Sequence, residues 1–303
     1  MIKKTITILM LSLLPLIAQE DFLKGVKAEN LMLDRVEAAP TEIVEEIENK
    51  GLGYWDGPIL TVIYSPDSMV IAEERFEKPG GRVSGLWIID TKTNIENKII
   101  DGIVEDLKWS PSGKYLSFIK MDYVSQNSIN DNCRKPVFNC EHLCIYNTET
   151  KKIDIIVSII GRSLQHCWSS AGDYLAYSYV SNNTDRYLFE VFDAQRNKSY
   201  VIDELILCGL WNFSWSPDGE MIAYTKPLEI DRNVDEEVPL EAEVYVVNRD
   251  GSGKTQITDT PEIELFIKWL SDGRHIITEI IRRPGEGIAP EYFKLILKKR
   301  EKK

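Results

Sequence analysis

Histidine is scarce in this chain: His142, His166 and His275 are the three in 303 residues. No H-E-x-x-H segment occurs, which excludes the helix-borne zinc pair of many metallopeptidases. No G-x-S-x-G segment supplies a nucleophile elbow. Positive charge is also in short supply, with 36 Lys and Arg against 48 Asp and Glu and a net charge of −12. Such a balance argues against binding a phosphate backbone, and so against nucleic acid and anionic lipid surfaces. After the first 20 residues no apolar run approaches the length of a membrane span. The five cysteines are too irregular for a zinc site, because the C-x6-C-x3-C spacing of Cys133, Cys140 and Cys144 lacks paired ligands.

The first 18 residues stand apart from the rest. Lys3 and Lys4 precede an apolar run from Ile6 to Ala18, which is the pattern of a secretory signal with Ala18 at the cleavage position. An uncleaved anchor is the other reading of the same run. Removal of the leader takes away two lysines and leaves a mature charge of −14.

What is abundant is a repeated phrase. An aromatic residue, a small polar turn and a short hydrophobic strand recur at Tyr64–Ser68 (Y-S-P-D-S), Trp109–Gly113 (W-S-P-S-G), Trp168–Gly172 (W-S-S-A-G), Trp215–Gly219 (W-S-P-D-G) and Trp269–Gly273 (W-L-S-D-G). The aromatic residues are 45, 59, 47 and 54 positions apart. Serine first, proline second and glycine fourth is the preference of a type I β-turn. A second strand follows each turn, as at Tyr115–Phe118 and Met221–Tyr224. A third ends in an Asp or Asn slot at Asp90, Asn147, Asp193 and Asn248, which Lys298 takes in the last copy. Fourth strands are expected at Ile95–Ile100, Ile153–Val157, Lys198–Ile202 and Lys254–Thr258. Four strands per repeat at this period predict an all-β fold, a β-propeller of five four-stranded blades. The fifth copy runs out of chain before its fourth strand, so Leu31–Glu37 is expected to supply it and close the ring. The alternative is six blades, the sixth built partly from residues 40–58.

These WD-like units resemble the repeats of TolB-type propellers. The best copy is Trp215–Tyr224, continued by Glu243–Thr258, and the resemblance covers about residues 58–298. TolB proteins also carry an α/β domain ahead of the propeller, and the roughly 40 residues between leader and first blade do not make room for one. The resulting division is a signal peptide at 1–18, an N-terminal segment with the closing strand at 19–57, a propeller at 58–298 and a charged tail at 299–303.

Candidate sites follow from register and loop length. Counting back from each aromatic residue, the second and fourth positions are mostly apolar, and His166 falls in the second, a core slot shared with Leu107 and Phe213. Glu105 and Trp211 break the fourth position near the strand start, where propellers usually dock ligands. Trp211 is either a binding anchor or a packed side chain. The second and fourth repeats are longer than the first and third, with the excess assigned to loops Met121–Glu141 and Pro227–Glu241. The second of these is acidic, with Asp231, Asp235, Glu236 and Glu237 as candidate ligands for calcium or a basic partner; a solvated charge run is the plainer reading. In an oxidising compartment Cys133 and Cys140 are the disulfide candidates, against reduced thiols. Cys167 reads as a small buried hydrophobe. Gly251–Thr255 (G-S-G-K-T) looks like the end of a P-loop, but Asn248 stands where its first glycine belongs and the segment joins two strands.

The expected function is that of a monomeric periplasmic or secreted binding module whose partner is another envelope or extracellular protein, with no catalytic residues, no cofactor beyond a calcium ion and no transmembrane span after leader removal. Two alternatives stand beside it: a hydrolase with channel-mouth carboxylates or calcium acting on a glycan or small ester, and a regulatory propeller acting in trans with a peptidase.

Overall fold

The computed structural model describes residues 22–43, 62–76, 83–124, 138–161, 163–182, 184, 186–206, 212–231, 238–281 and 291–300. A single 3-10 turn, Ala28–Asn30, leads into β1 (Leu31–Ala38). A four-stranded sheet follows, formed by β2 (Val62–Tyr64), β3 (Val70–Phe76), β4 (Val83–Asp90) and β5 (Glu96–Asp101). The second sheet comprises β6 (Ile103–Trp109), β7 (Tyr115–Val124), β8 (Phe138–Asn147) and β9 (Ile153–Ile160). The third comprises β10 (Gln165–Trp168), β11 (Tyr174–Val180), β12 (Arg186–Asp193) and β13 (Lys198–Ile206). Two further sets share one eight-stranded sheet: β14 (Phe213–Trp215), β15 (Met221–Asp231), β16 (Val238–Asn248) and β17 (Thr255–Gln256), then β18 (Ile263–Trp269), β19 (His275–Ile281) and β20 (Glu291–Lys299), with β1 at the far edge. One parallel bridge, Ala242 to Ile263, joins the halves. The molecule is thus nearly all β and built of successive four-stranded sets, as a β-propeller requires.

The expected partner of the last repeat is in place. β1 pairs antiparallel with β20 from Leu31–Lys299 to Ala38–Phe293, with one irregularity between Leu33 and Arg35. Residues 44–58, most of the stretch that a sixth blade would use, lie outside the described residues.

The repeated turn forms as its composition dictates. The fifth residue of each phrase donates its main-chain N–H to the carbonyl of the second, at 2.8 Å for Ser68–Ser65 and Gly113–Ser110 and 2.9 Å for Gly172–Ser169 and Gly219–Ser216. That fifth residue is left-handed every time, Ser68 at φ 60° and the glycines at 70° to 75°. Space adds a second demand. A Cβ on Gly172 would lie 2.9 Å from the main-chain nitrogen of Ser112, in the turn of the preceding sheet. The turns therefore stack against one another, and only the first copy carries a side chain there.

Four apolar clusters hold consecutive sets together. Ala72, Leu86 and Ile88 meet Leu116 and Phe118 across the first seam. Ile119, Leu143 and Ile145 meet Trp168 and Tyr177 across the second, and Phe189 and Val191 meet Trp215 and Tyr224 across the third. Met221, Val244 and Val246 meet Trp269, Ile276 and Leu295 across the fourth. Burying a side chain of this size contributes about 1.5–3 kcal/mol. The outer flank of the first set is different, with Val62 48% and Tyr64 60% exposed.

The fourth seam also receives the N-terminal segment. Leu23, Ala28 and Leu31 are buried in its cluster, and Leu23 sits against Gly273, where a neighbouring turn would otherwise stack. Asn248 takes part in the same arrangement. In the first three sets the residue in that slot accepts from its own turn, as Asp90 does from Lys92 and Thr93 and Asn147 from Glu149 and Thr150. Asn248 Oδ1 instead accepts from the main-chain N–H of Ala28 at 3.0 Å.

The two expected long loops need correction. β7 and β8 extend to Val124 and from Phe138, and β15 and β16 extend to Asp231 and from Val238, so much of the added length is hairpin rather than loop. Pro227, read as a loop residue, lies within β15 beside a register irregularity between Pro227 and Glu229, the kind of position where a strand tolerates proline.

Candidate functional site

Each set is antiparallel, so the aromatic-led turns gather at one end. The starts of the inner strands and the hairpins β7–β8 and β15–β16 gather at the other. Glu105 and Asp231 belong to this second end. Glu105 is half-buried on β6 opposite Ile119, and the register shifts between it and Lys108. The shift puts Asp106 in a left-handed conformation, φ 52°, which an aspartate tolerates better than most residues. Its side chain turns outward. Lys108 Nζ donates to Asp106 Oδ2 at 2.8 Å and to the main-chain carbonyl of His166 at 2.8 Å.

His166 is buried, and its Nδ1 lies 3.3 Å from Asp106 Oδ2 without the alignment of a hydrogen bond. Burial, reinforced by the Lys108 ammonium and opposed by Asp106, pushes the imidazole down to about 3. It is therefore neutral and solvent does not reach it. This is the core histidine that the register predicts. The Asp106–Lys108–His166 group ties the second sheet to the third, and Lys108 neutralises its one outward carboxylate.

Of the other candidates, Asp231 ends β15 opposite Val238. Trp211, Asp235, Glu236, Glu237 and Cys133 lie outside the described residues. Cys140, Cys144 and Cys167 form no disulfide with one another. Burial raises Cys144 to about 12 and raises Cys167 as well, so neither is a ready thiolate. Among the described residues no group of three or more His, Cys, Asp or Glu side chains could hold a metal ion. No described helix is long and apolar enough to cross a membrane.

Two charged groups escaped sequence reasoning. Asp203 on β13 accepts from Tyr224 Oη at 2.8 Å, Lys226 Nζ at 3.0 Å and Lys254 Nζ at 2.7 Å. Lys254 is the lysine of the P-loop look-alike, and it serves as an ion-pair partner between sets. The other group is Glu243 and Glu264, both fully buried in the fourth seam. No sequence signal marked them, because Glu243 stands among the acidic residues of the β15–β16 hairpin.

No protein-family model matches the chain, and no curated protein matches it in sequence. Among solved structures, the chain is similar to dipeptidyl peptidase 4 of Porphyromonas gingivalis, with 9% identity and a TM-score of 0.48, covering 74% of this chain and 36% of that one. TolB from Acinetobacter baumannii gives 14% identity and a TM-score of 0.40, covering 78% and 49%. The β-propeller domain of the Trilobed protease from Pyrococcus furiosus gives 15% and 0.44, covering 79% and 68%. The chain thus spans between about a third and a half of the length of the first two of these proteins.

Proposed function

We propose that the chain is a periplasmic or secreted five-bladed propeller, closed by β1, that binds another envelope or extracellular protein through the end carrying the two long hairpins. The observation that carries this reading is their length. β7 has 10 residues and β15 has 11, against 7 in each of β3 and β11. At about 3.4 Å per residue the two arms reach roughly 10–14 Å further than their neighbours. The arms flank the shorter third set, so the end is notched rather than flat, and the tip of the second arm is acidic in sequence. A basic protein surface is the complement of such an edge.

The test is affinity capture from the native envelope, with and without chelator, using the full mature chain and a variant in which a short turn replaces residues 232–237. A stoichiometric protein partner, indifferent to chelator and lost with the shortened arm, supports the reading. Equal capture by both forms would sink the assignment to this end, and tightly bound calcium with hydrolytic activity would replace it with an enzyme.

A further inference from the structure

Glu243 on β16 and Glu264 on β18 each follow one partner of the bridge Ala242–Ile263 that joins the fourth and fifth sets. Thr260, in the link between β17 and β18, ties them together. Its main-chain N–H donates to Glu243 Oε1 at 2.7 Å and its hydroxyl to Glu264 Oε1 at 3.0 Å. The second oxygen of each carboxyl, Oε2, is buried and has no hydrogen-bond partner.

The charged surroundings offer little relief. Glu241 and Asp259 act on Glu243, and Glu262 acts on Glu264, all in the unfavourable sense. Lys226 stands opposite Glu243 on β15 but sends its ammonium to Asp203. On β19 the residue opposite Glu264 is Ile280, and its neighbour Glu279 is another buried acid. Two ionised carboxylates buried side by side are costly. One proton removes one charge and supplies the donor that both orphaned oxygens lack.

We propose that Glu243 and Glu264 share a single proton near neutral pH, Glu264 Oε2–H donating to Glu243 Oε2, and that loss of this proton loosens the seam between the fourth and fifth sets. Burial, then the charge of Glu243, pushes Glu264 up to about 8. Glu243 is raised too, chiefly by burial, against the Thr258 hydroxyl and the Thr260 N–H. A carboxyl raised in the folded state keeps its proton after the unfolded chain has lost it. Stability from the pair is therefore complete below the unfolded value of about 4.3 and drains away as pH rises to about 8, where Glu264 ionises.

Denaturant unfolding of the full chain and of Glu264→Gln from about pH 5 to about pH 8 tests this. The ratio of the wild-type to the variant folding constant should fall by up to about tenfold per pH unit; Glu279 is common to both chains and cancels. Infrared spectra near neutral pH should show a protonated carboxyl in the wild type that both Glu264→Gln and Glu243→Gln remove. Parallel pH profiles, or no protonated carboxyl lost in either variant, would overturn the proposal. So would a rise in melting temperature on adding calcium chloride that Glu264→Gln abolishes, since a cation rather than a proton would then sit between the carboxylates. If Glu264→Gln does not fold, the wild-type and Glu243→Gln spectra decide by the same criterion.

Discussion

The indole N–H of Trp215 donates to the main-chain carbonyl of Cys167, 3.0 Å away on the inner strand of the preceding set. Trp168 does the same to Lys108, at 3.2 Å, and also donates to Ser117 Oγ at 2.8 Å. Trp109 reaches Ile63 at 3.4 Å. In the second, third and fourth copies the tryptophan of the repeat is thus a strap to the set before it, whereas Trp269 in the fifth donates within its own turn, to the Gly273 carbonyl at 3.0 Å. Trp215→Phe keeps an aromatic ring but removes the donor and part of the buried indole volume, so it should cost about 1–3 kcal/mol. Denaturant unfolding should show a lower midpoint with unchanged slope, and Trp109→Phe, with the longer bond, should lose less.

Gly172→Ala meets two obstacles at once, φ +75° and a Cβ 2.9 Å from the Ser112 nitrogen. A backbone neighbour cannot step aside as a flexible side chain does. The loss should be about 1–3 kcal/mol, read as a fall in melting temperature. An unchanged melting temperature would show that the stacked turns can separate.

Asp203 titrates in the opposite sense to Glu264. Burial acts to raise its carboxyl, but Lys254, Lys226 and Tyr224 outweigh burial and hold it below the ordinary range. A lowered folded value means stability that is present above about pH 3.9 and lost as pH falls through the folded value. Asp203→Asn should cost about 2 kcal/mol near neutral pH, at the low end for a buried pair because Lys254 is a third exposed. The gap between variant and wild type should narrow as the solution is acidified below about pH 3.9; a gap that stays constant would place the effect in packing rather than charge.

Deletion of residues 22–38 removes both Leu23, lodged against Gly273, and the whole of β1. The fourth cluster loses three buried side chains and β20 becomes an open edge. The shortened chain should lose cooperative thermal unfolding, and one that keeps the full melting temperature would refute the role assigned to this segment. The milder Leu23→Ala should cost about 2–5 kcal/mol.

The parts legible in the sequence were those governed by local chemistry. Ser65, Pro66 and the glycines announce a turn because neighbouring atoms decide it, and the strands after Tyr115 and Met221 follow from period-2 patterning. The place of β1 beside β20 was readable by counting strands. The insertion of Leu23 between sets was not, because nothing near Leu23 in sequence marks Gly273 as its neighbour. The sequence already placed Lys254 in a turn rather than a P-loop, but nothing near it marked Asp203, 51 positions earlier, as its partner. The buried acids were hidden for a similar reason: Glu243 stands among the acidic residues of a hairpin, and only the approach of β18 removes it from water.

The pairing of β1 with β20 joins residues 31 and 299. A chain made from its N-terminus would hold the first of these strands unpaired until almost all the rest had been synthesised. Contacts so distant in sequence are slow to form, and a waiting edge invites other partners. A product cut short before residue 291 could never complete that sheet, so quality control for this protein comes down to whether its last nine strand residues arrive.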